Sequence, residues 1–250
     1  LILKIHCILV FNMIFKKLTT VKLLCNYILV FSCFNLIAQD RITGNLFATR
    51  SETIAKNGMV ATSHPLASQI GVEILKSGGN AIDAAIAANA AIGLMEPTGN
   101  GIGGDLFALV WIEKDKKLYG LNASGRSPRN LTLNYFKENE YKKIPSYGAL
   151  SISVPGCVDG WFELHEKFGK IKMEEILAPA IDYAKNGFPV TELVSYYMNL
   201  SSRFYSSYPN FKETYLINGK SPKKEQIFKN PYLSKTLSII SKKILKFIKG

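Results

Sequence analysis

The pattern of hydrophobic and polar positions predicts two consecutive helices at the start of the folded region. After a short strand at residues 57–64, Pro65 opens a segment with apolar residues at helical spacing, and Gly78 and Gly79 end it. Those apolar residues are Leu66, Ile70, Ile74 and Leu75. Asn80, with Asp83 three residues later, predicts a capped second helix over residues 81–95. This helix is apolar on nearly every side, which is typical of a buried helix.

Further along, the same patterns predict a hairpin and three more helices. Residues 105–123 contain two apolar runs joined by a charged turn, which indicates two paired strands. Residues 151–169 predict a strand, a Pro-Gly turn and a helix ended by Gly169, and residues 173–190 predict a helix that stops at Gly187. Residues 191–229 are not assigned. The last segment predicts an amphipathic helix with an apolar face of Leu233, Leu237, Ile240, Ile244 and Ile248.

The charge of the chain is concentrated at its two ends. The formal net charge is +12, yet residues 39–211 carry 17 basic and 17 acidic side chains. Residues 1–38 carry four lysines and no acid, and residues 212–250 carry ten lysines and two glutamates. The lysine-rich end has no arginine and no aromatic stacking pattern, so it is typical of a solvated helical face. We therefore expect no nucleic-acid partner.

Residues 13–38 have the layout of a secretory signal peptide. A short basic stretch after Met13 precedes an apolar run at residues 23–38, with a plausible cleavage point after Ala38. That run is short for a membrane span, which needs about 20 residues. We expect export to the periplasm or the cell exterior, with an uncleaved membrane anchor as the alternative. Residues 1–12 are interpreted as an upstream extension, and residues 39–250 as one folded region.

The cysteines and histidines predict no metal site. Three of the four cysteines, Cys7, Cys25 and Cys33, lie in or before the signal segment, which leaves Cys157. His6, His64 and His165 are scattered without metal-ligand spacing. With no base visible near it in the sequence, Cys157 is expected to be a buried structural thiol. We expect no cofactor.

Two other stretches could carry chemistry. Residues 96–107 are rich in glycine, but they lack the Walker pattern and follow a helix and precede a strand, which reverses the dinucleotide-binding order. A tight backbone turn is the favoured interpretation. Arg126, at the exit of the predicted hairpin, is either a surface charge or an anion clamp on the residues alone.

Taken together, these stretches resemble the large-subunit portion of the gamma-glutamyltransferase (gamma-glutamyltranspeptidase) family, including its acylase-like branch. The matching segments occur in family order at residues 58–107, 121–128 (LNASGRSP), 153–169 (SVPGCVDGWFELHEKFG) and 177–190. The resemblance implies an α+β fold, part of a four-layer αββα N-terminal nucleophile hydrolase sandwich that is incomplete in this chain. It also implies the family reaction, in which a precursor cuts itself before an internal threonine and that threonine attacks a gamma-glutamyl amide such as glutathione.

The resemblance assigns one site residue in this chain. Arg126 matches the family arginine that contacts the α-carboxylate of the gamma-glutamyl donor, and a planar guanidinium suits a carboxylate. The nucleophilic threonine is expected beyond this chain, so no catalytic residue is assigned. The expected partners are the donor, an amine or water acceptor, and a C-terminal small subunit. Ser127 stands where transpeptidases commonly have an acidic residue, and SGRSP looks more like the acylase-like branch.

Three functional hypotheses follow. The first is a self-processing gamma-glutamyltransferase or glutathione hydrolase, and the second is an acylase of the same fold acting on glutaryl-type or other acyl amides. The third is an inactive fragment or a membrane-tethered binding protein. Thr62, followed by Ser63 and His64, superficially resembles the start of the family's small subunit. Because it lies inside the segment that matches the large subunit, we interpret it as the end of a strand followed by a helix cap at Ser63 or His64.

Overall fold

The computed structural model describes residues 53–242, and within them helices dominate. The helices are α1 (Pro65–Lys76), α2 (Ala81–Met95), α3 (Leu133–Glu138), α4 (Cys157–Phe168), α5 (Met173–Asn186), α6 (Glu192–Tyr205), α7 (Phe211–Tyr215) and α8 (Pro231–Lys242). The strands are β1 (Leu106–Ile112), β2 (Lys117–Ala123), β3 (Phe188–Pro189) and β4 (Ile227–Phe228). The signal segment at residues 13–38 and the extension at residues 1–12 lie outside the described residues, as do Ile244 and Ile248.

Helices α1 and α2 form the predicted pair and supply much of the core. In α1, Ile70 and Ile74 are buried, while Leu66 and Leu75 pack against the core from its edge. Helix α2 is buried on nearly every side, as its composition predicts, because its alanines let neighbouring helices approach closely. Its buried residues are Asp83, Ala84, Ile86, Ala87, Ala88, Ala90, Ala91, Leu94 and Met95.

The start of α2 is tied to a segment far along the chain. Asn80 and Asp83 form the predicted capping box, with the Asn80 N–H donating to Asp83 Oδ2 at 2.8 Å. The fully buried Asp83 carboxylate also accepts from the N–H of Lys170 at 3.1 Å, and Asn80 Nδ2 donates to the carbonyl of Phe168 at 2.6 Å. These bonds fix the end of α4 against the beginning of α2, because each polar group finds a partner only in this arrangement.

Strands β1 and β2 form the predicted antiparallel hairpin. Leu106 pairs with Ala123 and Ile112 with Lys117, so the two strands run in register to their ends. One face of the hairpin packs on the core, where Val110 is buried. The other face is exposed and apolar; its members are Phe107, Leu109, Trp111 and Leu118.

The second half of the described chain is built on α5 and α8. Helix α5 ends at Gly187 as predicted, and its φ of 98° is one that favours glycine. Phe188 and Phe228, on β3 and β4, pair and are fully buried. In α8, Leu237 and Ile240 are buried, so the predicted amphipathic face is confirmed as far as the described residues extend.

Two predicted strands are wrong. Residues 57–64 are irregular, and Val60 packs over Gly71 of α1 instead of facing a strand neighbour. Before the Pro-Gly turn, Ala149–Ser151 form a 3-10 turn and the following residues are irregular. Alternating apolar residues produce a strand only where another strand can pair with them, and the described residues supply none at either place. Among the helices of residues 53–242, none is long and apolar enough to cross a membrane.

Candidate active-site cleft

Arg126 lies just beyond the end of β2, exposed on the wall of a cleft of about 880 Å³. The exit of β2 forms one side of this cleft, and the Pro-Gly turn with the first turn of α4 forms the other. Its lining residues are Asn122, Ala123, Ser124, Gly125, Arg126, Ser127, Arg129, Val154, Pro155, Gly156 and Asp159. The two family-like motifs LNASGRSP and SVPGCVDG, about 30 residues apart, therefore meet here.

Glycines set how closely these two segments approach. Gly125 has a φ of 68°, and a Cβ at this residue would collide with the carbonyl of Val154. With no side chain in the way, Val154 N–H donates to the carbonyl of Arg126 at 2.8 Å. A Cβ on Gly156 would likewise strike the carbonyl of Ala123. The position of the Arg126 backbone is therefore fixed by a contact that only small residues permit.

The glycine-rich turn before β1 joins the same junction. The carbonyl of Gly104 accepts from the N–H of Gly156 at 3.1 Å and from that of Cys157 at 3.0 Å. At the other end of the turn, a Cβ on Gly93 would come within 3.3 Å of the Gly101 Cα. The interpretation of residues 96–107 as a tight turn where chains pack closely is confirmed.

The cleft carries two cations and one carboxylate. Arg126 and Arg129 line it with Asp159, which lies in the first turn of α4. The ion pairs within residues 53–242 are Lys116–Glu113 and Lys224–Glu192, and neither involves these three side chains. The two arginines outnumber the one carboxylate, so the cleft has a net positive charge. The planar guanidinium groups that carry this charge suit a ligand carboxylate.

Cys157 is confirmed as a buried thiol below the cleft. It is 1% exposed, and its Sγ lies 3.7 Å from Asn89 Oδ1, which also accepts from Trp161 Nε1 at 2.9 Å. Burial, helped by the charge of Asp105, raises the pKa of Cys157 to about 11. At neutral pH the thiol is protonated and is therefore a poor nucleophile. Within residues 53–242, no three His, Cys, Asp or Glu side chains are grouped so as to hold a metal ion.

The Thr62-Ser63-His64 triplet is the start of α1. His64 is the N-cap residue and its Nδ1 accepts from the N–H of Leu66 at 3.3 Å, so the predicted helix cap is confirmed at His64. Thr62 Oγ1 donates to the carbonyl of His64 at 2.7 Å. Burial lowers the pKa of His64 below its ordinary value, and the carboxylate of Glu96 opposes that shift.

The family is decided by comparison with known proteins. The model of the family described as gamma-glutamyltranspeptidase matches residues 67–247. The chain belongs to the gamma-glutamyltranspeptidase family. Among curated relatives, the glutathione hydrolase-like YwrD proenzyme of Bacillus subtilis (strain 168) is 36% identical over 191 residues, covering 76% of this chain and 36% of the relative.

Solved structures of the gamma-glutamyltranspeptidase family agree. Cephalosporin acylase from Bacillus halodurans is 40% identical with a TM-score of 0.74, over 82% of this chain and 39% of that protein. Helicobacter pylori gamma-glutamyltranspeptidase is 29% identical with a TM-score of 0.71, over 76% of this chain and 56% of that one. The predicted fold class, an α+β part of the N-terminal nucleophile hydrolase sandwich, is confirmed. The chain spans about a third of the length of the curated relatives it matches.

Reasoning from the sequence missed several residues of this region. Asp159 is visible in the sequence only as an acid in the first turn of a predicted helix, which is a common stabilising feature with no link to Arg126. Asn89 carries no signal at all, because nothing in the sequence marks an asparagine within an alanine-rich helix as the partner of Trp161. These groups meet only through folding.

Proposed function

We propose that the protein containing this chain cleaves gamma-glutamyl amides, and that Arg126 holds the α-carboxylate of the donor. The observation that carries this proposal is the exposed Arg126 on the wall of the 880 Å³ cleft, with its backbone held in place by the Gly125–Gly156 contact. Two parallel N–H donors of an arginine match the two oxygens of a carboxylate, which fixes the orientation as well as the position of the donor. Membership of the gamma-glutamyltranspeptidase family supports this reaction.

The chemistry proposed for the whole protein uses a threonine outside this chain. After self-cleavage, the threonine hydroxyl oxygen forms a bond to the amide carbonyl carbon, and the freed threonine amine takes the hydroxyl proton. That proton passes to the leaving amine as the amide bond breaks, which leaves an acyl-enzyme ester. Water or an acceptor amine then attacks the ester and releases the gamma-glutamyl group. The small subunit that begins with this threonine is the proposed partner of the chain.

A second candidate is an acylase that acts on glutaryl-type amides. It is favoured by Ser127, where transpeptidases commonly have an acid, and by the 40% identity to a cephalosporin acylase. A glutaryl group differs from a gamma-glutamyl group only by lacking the α-amine, so both would present a carboxylate to Arg126. Discrimination between them depends on what surrounds that amine. Asp159, which lines the same cleft, is the described residue with the charge to attract it.

Three matched anilides separate these functions in the protein expressed from its complete reading frame: gamma-glutamyl, glutaryl and pentanoyl. The pentanoyl group has a methyl where the glutaryl group has its carboxylate. The proposal expects the gamma-glutamyl anilide to be hydrolysed fastest and the pentanoyl anilide slowest. Fastest hydrolysis of the glutaryl anilide would support the acylase function instead. Equal rates for all three anilides would show that Arg126 does not contribute to donor binding. Intact-mass measurement should show two polypeptides, the smaller beginning with threonine.

We also propose that the protein is exported through the signal segment at residues 13–38. The basic start and the apolar run at residues 23–38 support this. N-terminal sequencing of the protein from its native cells should give Gln39 as the first residue. A mature chain that keeps the apolar run would indicate a membrane anchor instead.

A further inference from the structure

The last part of the described chain is strongly basic and its lysines are exposed. Residues 212–242 carry seven lysines and two glutamates, a net charge of +5. All seven lysines lie on the surface: Lys212, Lys220, Lys223, Lys224, Lys229, Lys235 and Lys242. Lys224 pairs with Glu192, and no other ion pair within residues 53–242 includes one of these lysines. Charges that the fold leaves unpaired are available to an external anion.

Helix α8 presents two of these lysines on one side. Tyr232, Lys235, Ile239 and Lys242 follow one another at intervals of three, four and three residues, which places them along one face of a helix. We call these four residues the lysine face. The opposite side of α8 is buried, and its members are Ser234, Leu237, Ile240 and Ser241.

Apolar side chains accompany the lysines on this surface. Tyr232 is 63% exposed and Ile239 is 49% exposed, and each lies one helical turn from Lys235. The segment that leads into α8 repeats the pairing, since Ile227 is 52% exposed and packs with Lys229 over Gly187. Single exposed apolar residues are ordinary, but here each one lies beside a lysine.

The neighbouring helix does not cancel the charge of the lysine face. Helix α5 packs along α8, where Ser234 Oγ donates to the carbonyl of Ile181 at 3.2 Å. Residues 170–186, which include α5, carry three lysines and three acidic side chains. The flanking surface is therefore neutral, and the excess charge belongs to residues 212–242.

We propose that the lysine face docks the protein on an anionic lipid surface. An ammonium is a compact charge that needs no fixed partner geometry, which suits the diffuse charge of a bilayer better than a single defined anion. Tyr232 and Ile239 enter the headgroup layer between the lysines. A soluble polyanion such as a nucleic acid offers no apolar layer to Ile239, so the lipid surface is the better match.

The test is co-sedimentation of the complete protein with two kinds of vesicle, phosphatidylcholine alone and an equal mixture of phosphatidylcholine and phosphatidylglycerol. The mixed vesicles should bind roughly tenfold or more tightly than the neutral ones, and high salt should remove most of the difference. Lys235→Gln combined with Lys242→Gln should weaken binding to the mixed vesicles by roughly tenfold or more. Ile239→Ser should weaken it severalfold without changing the charge.

A second pair of exposed lysines provides the matched control. Lys142→Gln combined with Lys143→Gln removes the same charge from a loop outside the lysine face and should leave binding nearly unchanged. Every variant shares the segment at residues 13–38, so its own affinity for lipid cancels in the comparison. Thermal melting establishes that each variant is folded.

Three results would overturn the inference. The first is equal binding to neutral and mixed vesicles, and the second is an equal loss from the two pairs of lysine substitutions. The third is normal binding by Ile239→Ser, because the face would then recognise charge alone and a soluble polyanion would be its partner. Vesicle binding needs no turnover of a gamma-glutamyl donor, so this inference and the proposed function can fail separately.

Discussion

Gly125 and Gly156 lie in backbone contact, and this contact joins the two loops that form the Arg126 cleft. A Cβ on Gly156 would stand 2.8 Å from the backbone nitrogen of Gly125. The three nearest atoms, the carbonyl oxygen and carbon of Ala123 and the nitrogen of Gly125, all belong to the main chain, so none can move aside as the end of a flexible side chain could. The cleft therefore depends on two residues that contribute no chemistry.

Gly156→Ala should lower the free energy of unfolding by about 1–3 kcal/mol, because the added methyl forces the backbone at Ala123 and Gly125 to move. Gly99→Ala is the matched control, since no atom lies within 4 Å of a Cβ at Gly99. Urea unfolding of the two variants makes the comparison. If both variants lost the same free energy of unfolding, the Gly125–Gly156 contact would have room for an added methyl group.

Arg126→Lys should weaken binding of carboxylate-bearing donors by about 1–3 kcal/mol, because an ammonium cannot form the two parallel bonds of a guanidinium. Self-cleavage should be unaffected, since that step needs no donor. The measurement is the KM for the gamma-glutamyl anilide in the complete protein, with Arg129→Lys as the control in the same cleft. A normal KM would make Arg126 a surface charge.

Stability should fall as the pH drops below the ordinary His64 pKa of 6.5, because burial lowers the pKa of His64 in the folded state. Above pH 6.5 the imidazole is neutral in both states. Below pH 6.5 the unfolded chain binds the proton first, so the free energy of unfolding decreases. The decrease stops once the pH is low enough for the folded imidazole to be protonated as well. Melting temperatures between pH 8 and pH 5 should show this loss.

His64→Asn provides the comparison for this pH dependence. The asparagine amide oxygen can replace Nδ1 as the acceptor for the Leu66 N–H and does not titrate. The variant should be less stable at pH 8 but should lose less on acidification. Parallel pH profiles for the two proteins would assign the acid sensitivity to other groups.

Cys157 should react very slowly with iodoacetamide at pH 8, because burial raises its thiol pKa to about 11 and blocks access. Peptide mapping by mass spectrometry separates it from the cysteines of the signal segment. The same peptide should be modified readily in concentrated urea, which serves as the positive control. Rapid labelling of Cys157 in the folded protein would contradict both its burial and its neutral state.

Local chemistry made much of the helical framework predictable. The spacing of Asn80 and Asp83 predicts a capping box, and Gly187 predicts the end of α5. Both were predictable because helix caps depend only on near neighbours in sequence. The predictions of strands at residues 57–64 and before Pro155 were wrong, because a strand forms only where a distant segment pairs with it. Alternation in sequence cannot reveal whether that partner exists.

The Arg126 cleft was much less predictable than the helices. Arg126 could be assigned only through family resemblance, since its neighbour across the cleft, Gly156, lies 30 residues away.

The exposed outer face of the β1–β2 hairpin makes tryptophan fluorescence sensitive to whatever covers that face. The protein has two tryptophans: Trp111 lies on that face and is 54% exposed, whereas Trp161 is 1% exposed. If another segment or subunit covers the hairpin, the fluorescence emission of Trp111 should shift to shorter wavelength while that of Trp161 stays constant. The chain thus contains its own spectroscopic reporter of assembly in Trp111, with Trp161 in α4 as an internal reference.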